Sequence, residues 1–107
     1  MITRFMRIIL FFDLPTISSL DKRNYRLFMK GLIQEGFLQM QESVYTKLVL
    51  NRTSVELAVN RIKSYLPPKG LVQVLVVTEK QFASIQNILG DAKDHNEIDS
   101  VSRLIIL

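Results

Sequence analysis

Cysteine is absent from the 107 residues. Disulfides, thiolate metal sites and thiol nucleophiles are thereby excluded, and the composition agrees with a reducing cytoplasm. The single histidine, His95, lies in a polar run between Asp94 and Asn96. A His-based triad or a zinc cluster lacks partners, and this side chain reads as a solvated loop residue. The glycines, Gly31, Gly36, Gly70 and Gly90, are scattered, so no phosphate-cradling loop exists. No stretch approaches the ~20 apolar residues that span a bilayer. Arg4 and Arg7 ahead of an apolar run imitate a signal peptide. The run is short, Asp13 ends it and no small-residue cleavage site follows. The expectation is a cytoplasmic protein without membrane contact. Internal repeats, low-complexity tracts and interdomain linkers are also missing, as is the aromatic signature of an RNA-recognition module.

Apolar residues make up 48% of the chain and charged residues 22%. That composition fills one core and suits a single domain over 1–107, with the core in 1–90 and a tail loop and terminal strand in 91–107. The net charge is +4 and unevenly spread. Residues 1–80 hold twelve Lys/Arg against six Asp/Glu, whereas 81–107 hold two against four. A basic body suggests a polyanionic partner, and nucleic acid is the first candidate.

The stretch "RIILFFDLPT", residues 7–16, opens the fold. Residues 5–12 read as a strand. Met6, Ile8, Leu10 and Phe12 share a uniformly apolar face that should lie under helices, while Arg7, Ile9, Phe11 and Asp13 share a mixed one. Asp13, Pro15, Thr16 and Ser18 make a turn. A helix over 18–35 follows, with Ser18 as N-cap, Asp21 in the first turn, Leu20, Leu27, Phe28 and Leu32 as its apolar stripe, and Gly36 beyond its end. Residues 37–40 and 44–50 read as a hairpin. Thr53 and Glu56 look like a capping box for a second helix striped by Val55, Ala58, Val59, Ile62 and Leu66 and stopped by Pro67 and Pro68. Residues 71–78 form a strand. Thr78 and Gln81 suggest a further capping box for a short helix carrying Phe82, Ile85 and Leu89 to Gly90. "RLIIL", 103–107, reads as a fifth strand.

The order β-α-β-β-α-β gives an α+β, ferredoxin-like fold: a four-stranded antiparallel sheet with both long helices on one face, plus the C-terminal strand. The opposite face is too apolar to meet water. Leu71, Leu75 and Val77 point one way, interrupted only by Gln73, and a sheet-to-sheet homodimer is expected. Arg103, Leu104, Ile105, Ile106 and Leu107 have no evident slot in their own domain and would extend an edge, the partner's included.

Two features carry possible chemistry. Asp13 is either a metal-binding or catalytic carboxylate at a strand end, or a turn residue accepting a backbone N–H near Leu14–Thr16. One carboxylate makes a poor Mg²⁺ site, but a two-fold axis would set Asp13 opposite its copy. Lys22, Arg26 and Lys30 recur every four residues, with Arg23 beside them. They form either a phosphate-contacting ridge or a solvated helix face. Only Tyr25 lies near, which argues for duplex backbone contacts over base stacking. Arg7 is counted with this basic set. The directions of Lys47, Arg52, Arg61, Lys63 and Lys69 are open.

"RIILFFDLPT", "GFLQMQESVYTKLVLN" (36–51) and "VLVVTEKQFASI" (74–85) together resemble the CRISPR-associated protein two family, the small subunit of the spacer-acquisition complex, most closely its type II members. The resemblance implies a ferredoxin-like dimer joined through its sheets, with a C-terminal strand crossing to the partner. It implies that Asp13 is the Mg²⁺ ligand of an endonuclease. It also implies a bridge between two dimers of a larger integrase subunit, supporting the prespacer duplex DNA to be inserted, with strand transfer belonging to that larger subunit. Three readings follow: a DNA-bridging adaptor, a Mg²⁺-dependent nuclease acting on RNA or DNA through Asp13, and a small-molecule-binding regulatory domain on the same fold.

Overall fold

The computed structural model describes residues 5–90. The first apolar run forms β1 (Met6–Asp13). Its alternation sends Ile8, Leu10 and Phe12 into the core, where each is at most 6% exposed. The run stays extended because its β-branched and aromatic side chains fit a pleated surface and pair with strands on both sides. The partners are β3 (Val44–Val49) and β4 (Leu71–Thr78), both antiparallel to β1. β2 (Leu38–Gln41) completes the sheet in the order β2-β3-β1-β4. Gln41 pairs with Val44 after a register shift at the hairpin turn. This is the α+β architecture and four-stranded antiparallel sheet of the ferredoxin-like pattern.

Both long helices cover one face. Helix α1 (Ser19–Glu35) begins at Ser18, whose hydroxyl accepts from the Asp21 N–H while the Asp21 carboxylate accepts from the Ser18 N–H. It ends at Gly36, whose φ of 99° is the left-handed conformation that a residue with a Cβ resists. Helix α2 (Arg52–Lys63) lies beside it. Phe28 and Leu32 from α1 and Val55, Ala58 and Ile62 from α2 meet Ile8, Leu10, Phe12, Phe37, Tyr45 and Val49 in one core. Phe12 is its aromatic centre, with Tyr25, Phe28 and Tyr45 rings 5.8, 6.4 and 6.0 Å away.

Several expectations are corrected. Leu20 and Leu27 are not core residues; they are 61% and 51% exposed, and Tyr25 and Met29 pack on the core beside Phe28 and Leu32 instead. The N-cap of α2 is Asn51, whose Oδ1 accepts from the Ser54 N–H, so the Thr53–Glu56 box does not form. Asn51 wins because it starts the helix two residues earlier and accepts from the Ser54 N–H, which leaves Thr53 inside the first turn. α2 stops at Ser64, before the prolines, and Leu66 is exposed. The final helix is shorter than its pattern: α3 spans only Glu79–Ala83, capped by the reciprocal Thr78–Gln81 box. Ile88 and Leu89 lie beyond it, 95% and 96% exposed. His95 and the fifth strand, Arg103 to Leu107, lie outside the described residues.

Among the described residues no long helix covers the second face of the sheet; only α3 reaches it, through Glu79 and Phe82 against Arg7. Cross-strand pairing places Ile9 between Thr46 and Leu75, Phe11 between Val44 and Gln73, and Asp13 opposite Leu71. Leu38, Leu48, Leu71 and Leu75 are between 46% and 69% exposed there.

Candidate nucleic-acid interface and strand-end carboxylate

Asp13 is the last residue of β1, on the uncovered face and exposed. The turn-cap expectation fails. No hydrogen bond or ion pair to its carboxylate is made among the described residues. Pro15 supplies no N–H, and the following helix is capped by Ser18. The backbone around Asp13 is nevertheless fixed from the other side of the turn. Gly70, at φ 107°, sits so close that a Cβ there would meet the Asp13 carbonyl oxygen at 2.7 Å and a Leu14 methyl at the same distance. The backbone that carries the carboxylate is therefore fixed, and the carboxylate oxygens take no partner among the described residues.

A Mg²⁺ ion takes one or two carboxylates together with water and phosphate oxygens. No group of three or more acidic or histidine side chains gathers anywhere among the described residues. Asp13 alone fits half of such a site, and a second copy of the same residue would complete it.

The basic residues divide into two sets. Lys22, Arg23, Arg26 and Lys30 are exposed on α1 and make no ion pair among the described residues. At about 100° per residue they fall within an arc of about 100°. Their uncompensated charge is concentrated on one strip of one rigid element, as backbone contacts to a polyanion require.

Arg7 belongs to the second set. Its guanidinium donates through Nε and Nη2 to the two carboxylate oxygens of Glu79, at 2.8 and 2.6 Å, and lies 4.4 Å from the centre of the Phe82 ring. Register explains the meeting. Arg7 pairs with Val77, so the chain leaving β4 brings Glu79 and Phe82 alongside, and the Glu79 N–H donates to the Phe5 carbonyl. The hydrogen bonds from Arg7, reinforced by its charge, hold the Glu79 carboxyl below its usual range against the opposing effect of burial. One bidentate pair of hydrogen bonds and a ring occupy Arg7, which ties α3 to the sheet.

Lys47 and Arg61 are similarly engaged. Lys47 donates to the Glu35 main-chain oxygen at 2.6 Å and lies 3.6 Å from its carboxylate, which accepts from Arg61 at 3.1 Å. Lys47 thus caps the C-terminal end of α1, where a cation is favoured. Sequence spacing identified the α1 strip because i, i+4 repetition is a local property. The engagement of Arg7 by Glu79, 72 residues away, has no local signal.

Tyr65, just beyond α2, lies flat on α1. Its ring is so close to Gly31 that a Cβ there would stand 2.5 Å from Cε1, and it lies 5.8 Å from the Phe28 ring. Its hydroxyl is buried without a hydrogen-bond partner among the described residues, and burial, with the Glu35 charge second, pushes it up to about 12.

The family model described as CRISPR associated protein Cas2 matches residues 6–85. Three curated relatives carry the name CRISPR-associated endoribonuclease Cas2. The protein of Treponema denticola is 47% identical, covering 95% of this chain and all of its own. That of Ligilactobacillus salivarius is 45% identical over the same shares. That of Streptococcus mutans serotype c is 43% identical, covering 95% of this chain and 93% of its own. The matched span runs from the first residue of β1 past the end of α3, so it contains the strand-end aspartate, the basic helix and the whole sheet; the chain belongs to the CRISPR-associated Cas2 family.

Proposed function

We propose that this chain acts in CRISPR spacer acquisition as a homodimeric, non-catalytic bridge that carries double-stranded prespacer DNA and joins dimers of the larger integrase subunit. The observation that carries the reading is the strip of unpaired cations, Lys22, Arg23, Arg26 and Lys30, on the outer face of α1. A helix strip suits a duplex because phosphates recur along a rigid backbone, and no exposed aromatic ladder offers a single strand its stacking surface. The uncovered apolar face supports the dimer. Two such sheets packed together would bury Ile9, Phe11, Leu71 and Leu75 of each copy and leave both α1 helices outward, giving one platform with a basic strip on each side. The expected docking segment for the larger subunit is Arg103 to Leu107.

The test is binding of a short duplex across a salt series. Neutralising Lys22, Arg26 and Lys30 together should lower affinity and flatten the slope of log K against log salt by about 2.7, since each phosphate neutralised contributes about 0.9. An unchanged slope would remove α1 from the interface.

A second reading rests on the freedom of the Asp13 carboxylate and on the endoribonuclease name of the relatives. The Asp13 pair of a dimer would hold Mg²⁺, which when bound polarises a phosphodiester and acidifies a bound water. The chain's own contribution is positional: Gly70 and Leu14 fix the backbone that aims the carboxylate. Cleavage of RNA and DNA by parent and Asp13→Ala, with Mg²⁺ and with a chelator, decides between the readings. Retained integration by Asp13→Ala in the presence of the larger subunit supports the bridge. Loss of cleavage in that variant supports the nuclease.

A further inference from the structure

Along β1 and β4 the second sheet face is apolar but for three side chains, Arg7, Asp13 and Gln73. Arg7 is engaged by Glu79 and Phe82 at one end. Asp13 and Gln73 stand together toward the other. Asp13 pairs with Leu71 and Phe11 with Gln73, so the two polar residues are diagonal neighbours on adjacent strands. Such neighbours lie about 7 Å apart. Both are exposed, and neither side chain makes a hydrogen bond or ion pair among the described residues. Thr46, the polar residue of this face on β3, is already buried.

A second copy laid on this face takes both groups out of water. An amide or carboxylate buried without a partner costs more than a hydrogen bond returns. Their own chain offers them no partner among the described residues, so the second copy must. Chemistry selects the pairing. An ionised carboxylate only accepts, and a side-chain amide nitrogen donates. Asp13 opposite its own twin sets like charges together unless a cation lies between them. Gln73 opposite its own twin leaves both carboxylates without a donor. Asp13 opposite Gln73 of the second copy satisfies both, and a two-fold axis repeats the contact with the copies exchanged. Reach agrees: aspartate and glutamine side chains joined by one hydrogen bond span about 10 Å, the separation of packed sheets.

We propose that Gln73 sets the register of the sheet-to-sheet dimer: its side-chain amide donates to the Asp13 carboxylate of the second copy, twice across the two-fold axis. The pairing rests on the homodimer reading and adds what aligns the two copies. An apolar face alone accepts many alignments, and one buried polar pair penalises all but one of them. The carboxylates are then held by amides, and the dimer forms without a cation.

The experiment uses full-length Asp13→Leu and Gln73→Leu chains in buffer containing EDTA. Both residues are exposed in the single chain, so the replacements leave its core intact. Sedimentation should show each variant dimerising at least about a hundredfold more weakly than the parent, because each strands two buried polar groups. Were Gln73 only a blemish on an apolar face, Gln73→Leu would tighten the dimer instead. Mixing the two variants is decisive. Their heterodimer regains one Asp13–Gln73 pair and sets leucine against leucine at the other site. Native mass spectrometry of an equimolar mixture should find it outnumbering each homodimer by at least about tenfold, where chance gives about twofold. A pair made within one chain is not restored by mixing. Both replacements in one chain should return dimerisation at least to the parent's strength, since no polar group is then stranded. A Gln73→Leu dimer as tight as the parent's, or a mixture in chance proportions, overturns the pairing and leaves the dimer standing. A parent that is one copy in EDTA and two with Mg²⁺ overturns it in favour of a cation between the carboxylates. A parent that is one copy in both removes the dimer and the pairing with it.

Discussion

Replacing Leu75 by aspartate separates what the sheet does within one chain from what it does between two. Leu75 lies midway along β4, paired with Ile9, and is 51% exposed. Complete burial of a leucine is worth about 2–3 kcal/mol, so removing the half already buried costs a single chain about 1 kcal/mol. The poor strand propensity of aspartate adds up to about 1 kcal/mol. In a two-fold sheet pair the exposed half of Leu75 is covered in each copy, and the lost burial doubles to about 2–3 kcal/mol. Each buried aspartate then adds an effective penalty of several kcal/mol. The dimer loses more than about 6 kcal/mol, over four decades in dissociation constant. Sedimentation velocity at low micromolar protein should show the parent as two copies and Leu75→Asp as one. Urea melts should place the variant's unfolding midpoint only modestly lower. A variant that sediments with the parent's mass would refute the sheet as the interface, and a parent that is already a single copy would refute the dimer itself.

Other consequences are more local. Gly31→Ala should destabilise by about 1 kcal/mol despite alanine's better helix propensity, because its methyl meets the Tyr65 ring at 2.5 Å. Combined with Tyr65→Leu it should turn stabilising, and thermal melts of the four proteins read that change of sign. Asn51→Ala should cost about 1 kcal/mol in the same melts and Thr53→Ala far less, since Asn51 holds the cap. The Glu79 carboxyl is lowered in the folded protein, so its pairing with Arg7 contributes fully above the ordinary glutamate range and is lost as pH falls through the lowered value. The acid limb of stability against pH should therefore flatten in Glu79→Gln, and the Phe82 ring resonances should lose their dispersion in that variant at neutral pH.

What could be read along the chain is what depends on near neighbours. The alternation of Ile8, Leu10 and Phe12, the Ser18 cap, Gly36 past the helix and the Thr78–Gln81 box are all settled within a few residues, and the fold order follows from their succession. The four-residue recurrence of Lys22, Arg26 and Lys30 is local in the same way. The apolar stripes were half legible. Leu27 and Phe28 look alike in sequence, yet only one can point down, and which one depends on how α1 rolls against Tyr65 and α2.

Tertiary structure decided the rest. Arg7 and Lys47 carry the same charge as Arg26, but antiparallel register hands Arg7 to Glu79, and the packing of α1 on β3 hands Lys47 to the helix end. Asp13, composed like a turn cap, is left without a partner among the described residues because its neighbour at position 15 is proline and Ser18 takes the helix. The sequence alone determined that there would be a sheet with one greasy face too many and a helix with a charged edge. Pairing over long separations determined which charges remained free, because an ion pair is settled by distance in space and sequence records only distance along the chain.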